Sequence, residues 1–174
     1  MILGYARHGK DTVAEILREE HGVQFVSSSF AAAEKVMVPY FKSKGIEYAS
    51  LDECYADRVN YRQEWFEQIA AYNTPDKARL AREIYAVSDA YVGIRSVEEF
   101  NAVKKEGLFD YSIWVDRSKH EPPESSTSNT ITSNMANYVL DNNGTLEQLR
   151  IRASNLYIDL LSLEYAGAYT KGIE

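Results

Sequence analysis

The chain has 174 residues, 45% of them hydrophobic and 26% charged, with a formal net charge of −7; this is the composition of one ordinary globular domain long enough to bury a core. Without a long basic block, duplex nucleic acid is a poor partner, because that affinity comes mostly from Lys and Arg on phosphates. The lone cysteine, Cys54, allows neither an intramolecular disulfide nor a cysteine-based zinc site, and no apolar run approaches the roughly twenty residues that span a bilayer.

Met1-Ile2-Leu3 is a short apolar lead-in to Gly4-Tyr5-Ala6-Arg7-His8-Gly9-Lys10. The order G-x4-G-K lets backbone N–H groups wrap a polyphosphate while the lysine reaches its outer phosphates. Val13, Ile16 and Leu17 recur at helical spacing, so a helix over 10–20 would aim its N-terminus at the same anion. Arg7 and His8 fill variable positions of the loop, where exposed side chains are expected. The Ser or Thr that ordinarily follows the lysine and meets magnesium is replaced by Asp11, with a hydroxyl one residue later at Thr12. Asp11 and Thr12 are therefore the metal candidates, although Asp11 also suits the positive end of a helix dipole.

A strand is predicted near 24–28, then a helix over 30–44 interrupted at Pro39. Residues 52–72 read as one long helix, with Cys54 a small, partly buried hydrophobe and Trp65, Phe66 and Tyr72 as core. On that helix Arg58 and Arg62, spaced i, i+4, would share a face and grip one phosphate. Thr74-Pro75-Asp76 punctuates the chain, with Thr74 or Asp76 as cap of a helix over 77–87.

Ala90–Ile94 reads as a strand buried on both faces, delivering Arg95 to its carboxyl end, where open α/β sheets bind ligands. A structural ion pair with Glu98 or Glu99 is the alternative for Arg95. Ser96 opens a capping box and a helix ending near Gly107. A strand over 111–115 places Arg117 and Lys119 at its exit. Residues 116–134 are polar and aperiodic, with Pro122-Pro123 and a Ser/Thr stretch; a loop of this length suits a lid, mobile without ligand, with His120 exposed on it. A last strand over 138–140, an Asn142-Asn143-Gly144 turn and a helix over 145–165 close the chain. The alternation predicts a single α/β domain with about five mostly parallel strands and the lead-in strand in the middle.

GYARHGKDTVAEIL resembles the deoxynucleoside monophosphate kinases of bacteriophages, a branch of the P-loop kinases, down to the Asp after the lysine. YVLDNNGTLEQL resembles that family's last strand and turn, and WVDRS the strand that delivers a lid arginine. YVGIRSVEEF resembles its strand-plus-arginine element, with Gly93 where an Asp would stand. The resemblance implies a three-layer P-loop fold with acceptor-binding helices at about 30–88 and a lid at about 116–134. The reaction it implies carries a phosphoryl group from ATP, with Mg2+, to a deoxynucleoside monophosphate, in phage nucleotide metabolism within the host cytoplasm.

By that resemblance Gly4, Arg7, His8, Gly9, Lys10, Asp11, Thr12 and Arg117 would bind ATP. Asp57, Arg58, Arg62 and Arg95 would bind the acceptor, and Lys10, Arg95 and Arg117 would serve catalysis. Neither a stable nucleic-acid partner nor a membrane is expected; the accepted base and a homodimer stay open. Two other readings remain: a P-loop kinase acting on a hydroxymethylated base in DNA, and a non-catalytic nucleotide-binding protein, to which the missing Asp at Gly93 points.

Overall fold

The architecture follows from strands whose successive side chains face opposite ways. In a computed structural model that describes residues 1–124 and 129–171, with side chains to 163, five strands form one parallel sheet. They are β1 (Ile2–Leu3), β2 (Phe25–Ser27), β3 (Ala90–Val92), β4 (Ile113–Asp116) and β5 (Tyr138–Asp141), in the order β2-β3-β1-β4-β5. Ile2, Ala90, Val92, Ile113, Val115 and Leu140 point to one face, where α1 (Lys10–His21) and α8 (Leu146–Lys171) bury Val13, Ile16, Leu17, Leu149 and Ala153. Leu3, Tyr91 and Trp114 point to the other, under the remaining helices.

Helices cover both faces because each central strand is apolar on both. The expected α/β class, strand number and central lead-in strand are all observed. After β1 the chain runs outward to β2, and after β3 it crosses β1 to reach β4. The carboxyl end of β1 is therefore where the connections diverge to the two sides, the crevice in which open sheets of this kind receive ligands.

The second face carries α2 (Ser28–Ala32), α3 (Val38–Ser43), α4 (Leu51–Asp57), α5 (Arg62–Tyr72), α6 (Arg79–Tyr85) and α7 (Val97–Lys105). From Ser28 to Ser43 the helix is continuous but widens to a π-turn over Ala33–Met37, just before Pro39 in the first turn of α3. Proline offers no N–H to the carbonyl four residues back, so the ladder is displaced rather than broken.

The single helix expected over 52–72 is corrected to two, α4 and α5, separated by residues 58–61. Asp57 ends α4 by accepting hydrogen bonds from Tyr48 Oη (2.7 Å) and Asn60 Nδ2 (2.6 Å). These local bonds compete with continuation of the helix. Neither expected cap closes the next helix: α6 starts from Ala78 with no side-chain cap, Asp76 accepts from Ala78 N in the turn before it, and Thr74 Oγ1 turns back to Ala70 O. Cys54 is fully buried, more deeply than expected. No helix among the described residues is long and apolar enough to cross a membrane.

Candidate functional site

Four strand ends meet at one edge. Gly4 follows β1, Gly93 to Arg95 follow β3, Arg117 follows β4 and Asn142 follows β5. The Gly4–Gly9 loop bends sharply at Arg7, the one described non-glycine residue with positive φ, at 62°, a strained state of the sort that collects at functional sites. Gly9 then starts α1 from a left-handed conformation (φ 90°) with no side-chain cap. A Cβ at Gly9 would run into Asn142 Nδ2. Glycine here serves both the turn and the close approach of the turn after β5.

The bend turns His8 inward, and this corrects the expectation that it is exposed: His8 is completely buried. Its Nε2 lies 3.2 Å from Glu121 O, and its Nδ1 meets both Arg117 N–H (3.1 Å) and Val115 O (3.3 Å), so the ring joins the end of β4 to the segment that follows it. The His8 carbonyl accepts from Asn142 Nδ2 at 2.9 Å. Arg117 Nη1 donates to Asn142 O at 2.9 Å. His8, Asn142 and Arg117 thus tie the loop, the end of β4 and the turn after β5 into one unit. Arg7 is exposed, as expected, and pairs with Glu121 at 3.1 Å.

Beside this unit opens a cleft of about 390 Å³, lined by Arg7, Gly9, Thr12, Arg117, Asn142 and Gly144 to Leu146, with Leu149 as its floor. Thr145 in this lining and Gln148 bond each other's backbone N–H through their side chains and start α8 as a capping box. The cleft combines a guanidinium and hydroxyls with an apolar floor, the mixed lining that small-molecule sites show.

Lys10 is buried (9% exposed), with Nζ donating to Tyr5 O at 2.7 Å. Burial and then the Arg95 charge lower its pKa to about 8, against smaller opposing effects of Asp11 and Glu124. Arg95 does not pair with Glu98 or Glu99. Its Nη1 donates to Glu124 Oε1 at 2.7 Å, and the other oxygen of that carboxylate accepts from Ala6 N at 2.7 Å. Burial pushes the Glu124 carboxyl up, but the Arg95 charge and these hydrogen bonds outweigh it and hold it below its ordinary value. Gly93, with φ 91°, lies where a Cβ would meet Ser28 Oγ and Lys10 Cε at 3.4 and 3.8 Å. A side chain at this position would be strained by the backbone and pressed toward the lysine.

Asp11 and Thr12 are both exposed on the first turn of α1, and Thr12 walls the cleft. No group of three metal-ligating side chains gathers among the described residues. Exposed oxygens of this kind fit a magnesium ion held mainly by phosphates and water, the usual way this ion is bound.

The acceptor residues are distributed differently from the expectation. Arg58 and Arg62 do not share a helix face, because the break between α4 and α5 falls between them. The Arg58 guanidinium lies 3.9 Å from the Tyr55 ring centroid and donates to Tyr55 O. Tyr55 in turn meets the edge of the partly exposed Phe30, ring to ring at 5.5 Å. Asp57 is engaged with Tyr48 and Asn60, which hold its carboxyl below the ordinary range. Trp65 is core, whereas Phe66 is 60% exposed, a correction that follows from its place on the outer side of α5.

The segment expected as a lid is anchored at both ends. His120 N and Glu121 N bond Arg117 O, His120 Nε2 meets Asn143 O, and on the return Ile131 is buried in the core. Residues 125–128, its Ser/Thr stretch, lie outside the described residues. Glu124 and Asn142 were missed as site residues: the first sits in an aperiodic polar loop that carries no signal, and the second reads from sequence only as a turn.

No protein-family model and no curated protein matches the sequence. Among solved structures the chain is similar to the crystal structure of TT1252 from Thermus thermophilus, at 20% identity and a TM-score of 0.52 over 92% of this chain and 95% of that one. At that identity the likeness concerns the fold alone.

Proposed function

We propose that the chain is a P-loop kinase that transfers the γ-phosphoryl group of ATP to a deoxynucleoside monophosphate. The observation that carries the reading is the G-x4-G-K loop leaving the carboxyl end of the central strand, with Lys10 and Arg95 brought to one anion-holding point beside an open cleft. Phosphoryl transfer asks a protein for positioning and charge neutralisation rather than covalent chemistry.

In this reading the ATP phosphates lie along the Gly4–Gly9 loop and the N-terminus of α1, and the base enters the cleft over Leu149 against Arg117. Lys10 neutralises charge on the outer phosphates. Arg95 faces it from β3 and holds the incoming phosphate. Arg58, Tyr55 and Phe30, on the acceptor side, offer a cation and aromatic faces to the deoxynucleoside. Asp11 and Thr12 would hold Mg2+, which supplies further neutralisation of the β- and γ-oxygens. The anchored stem of 117–121 keeps Arg117 in place, and the rest of 116–134 serves as the lid that keeps water from the phosphoryl group.

Incubating the purified protein with MgATP and each deoxynucleoside monophosphate, and following ADP, tests the reading. At least one acceptor should stimulate ADP release well above the rate with ATP and water. Equal rates with and without every acceptor would sink the kinase.

Gly93 favours a second reading, nucleotide binding without turnover, because it brings no carboxylate to this strand end and its left-handed backbone would strain one. Calorimetric binding of ATP together with absent turnover would select it.

A further inference from the structure

Ala6 lies in the middle of the loop read above as a phosphate site, and its N–H is already donated to Glu124 Oε2, while Arg95 grips Oε1 of the same carboxylate, both at 2.7 Å. A backbone N–H and a guanidinium aimed at two oxygens of one group form an anion site of the size of a carboxylate or a single phosphate. The carboxylate is seated rather than adrift: its side chain is 16% exposed, and Asn129 Nδ2 approaches Oε2 at 3.5 Å. Lys10 feels both Arg95 and Glu124, so the same point gathers two cations and one resident anion.

We propose that Glu124 is a built-in occupant of this anion site and that a phosphate group enters by displacing it onto neither cation, taking over the Ala6 N–H and the Arg95 guanidinium. The inference rests on the phosphate-site reading of the loop but not on turnover. A phosphate dianion is the better ligand for Arg95 and Lys10 together, since it carries more charge and more acceptor oxygens than a carboxylate. Glu124 therefore sets a threshold: weak anions are excluded, and a phosphate binds with its intrinsic affinity reduced by the fraction of time the site is open. The same occupant keeps Arg95 and Lys10 from standing side by side without a counter-charge, an arrangement that would be repulsive in a partly buried site.

The test is a titration with inorganic phosphate at constant ionic strength, read from the backbone amide resonance of Ala6, in the wild-type chain, in Glu124→Gln and in Glu121→Gln. The last variant removes the same charge from the same segment, but the Glu121 carboxylate pairs with Arg7 at the cleft rather than with Ala6 or Arg95. Glu124→Gln should tighten phosphate about fivefold or more, with Glu121→Gln within about twofold of wild type. Equal affinity in Glu124→Gln and wild type, or equal tightening in both variants, would overturn the proposal.

A readout without substitution guards against a variant that does not fold. In the wild-type chain the carboxyl carbon resonance of Glu124 should move with the Ala6 amide, along one binding curve. Movement of Ala6 with Glu124 unchanged would also overturn it. A protein that shows the displacement but no kinase activity would leave this inference standing and remove only the proposed reaction.

Discussion

Lys10 carries the clearest conflict between stability and function. Its pKa is lowered to about 8 by burial and by Arg95, so the folded state disfavours the ammonium that a polyphosphate needs. The unfolded chain binds more protons than the folded chain between about pH 8 and the ordinary lysine value. Wild-type stability from this group must therefore rise with pH across that window and be lowest below it. Lys10→Met should raise the stability of the ligand-free protein near pH 7 by up to about 3 kcal/mol, a difference that shrinks toward pH 10.5, while abolishing turnover; denaturant unfolding at several pH values checks both signs. A bound polyphosphate restores a counter-charge, so ATP binding at pH 8 should take up about half a proton, visible as a buffer-dependent calorimetric enthalpy. Arg117 is held by the Asn142 carbonyl and faces the cleft before any ligand arrives. Arg117→Ala should therefore raise the KM for ATP about tenfold or more with a smaller fall in kcat, the pattern of a contact already made in the ground state.

At the scale of elements, the site is an assembly of strand ends rather than of helices. The turn after β5 is bound to the Gly4–Gly9 loop through Asn142, which is buried and donates to the carbonyl of the equally buried His8. Asn142→Ala leaves that carbonyl unpaired, which costs about 1–3 kcal/mol, and frees the turn from the loop. A lower thermal midpoint together with weaker ATP binding is the expected result; a loss of stability with ATP affinity intact would mean that the turn does not shape the cleft. The break between α4 and α5 has a different consequence. Because Arg58 is stacked on Tyr55 and Arg62 opens a separate helix, their alanine variants should affect acceptor affinity independently, so the double variant should equal the sum of the singles within about 0.5 kcal/mol. A strong coupling in the double-mutant cycle would restore the joint phosphate grip.

For the whole molecule, the two halves of the proposed reaction would lie on opposite sides of β1, with the cleft toward β4 and β5 and the proposed acceptor side toward β2 and β3. A ligand that bridges them ties together elements that meet through the sheet and through the Arg95–Glu124–Ala6 contact. Ligand at a hundredfold over its Kd adds about 2.7 kcal/mol, so saturating ATP should raise the midpoint by about 5–10 °C for a domain of this size. A further rise is expected when the accepted monophosphate is added, and little with the corresponding nucleoside. The net charge of −7 argues against a duplex acceptor at the same scale. A base in DNA would demand phosphate contacts and a steep salt dependence, which a binding titration against duplex at two salt concentrations measures.

The sequence by itself determined what depends on local order. The apolar spacing of Val13, Ile16 and Leu17, the doubly apolar strands Ala90–Val92 and Ile113–Val115, and the G-x4-G-K succession are written in neighbouring residues, and they led to the alternating elements, the parallel sheet and the loop at its centre. Only the tertiary structure decided the rest. His8 turned inward because its ring meets a carbonyl and an N–H more than a hundred residues away, partners that no local pattern announces. Asp57 ended α4 because Tyr48 lay within reach of its carboxylate, against a helical periodicity that ran on unbroken. Glu124 came to rest on Ala6 and Arg95 from an aperiodic stretch of loop. Periodicity records which face of an element is buried, whereas a polar side chain is placed by whichever unpaired donor or charge the finished fold leaves beside it.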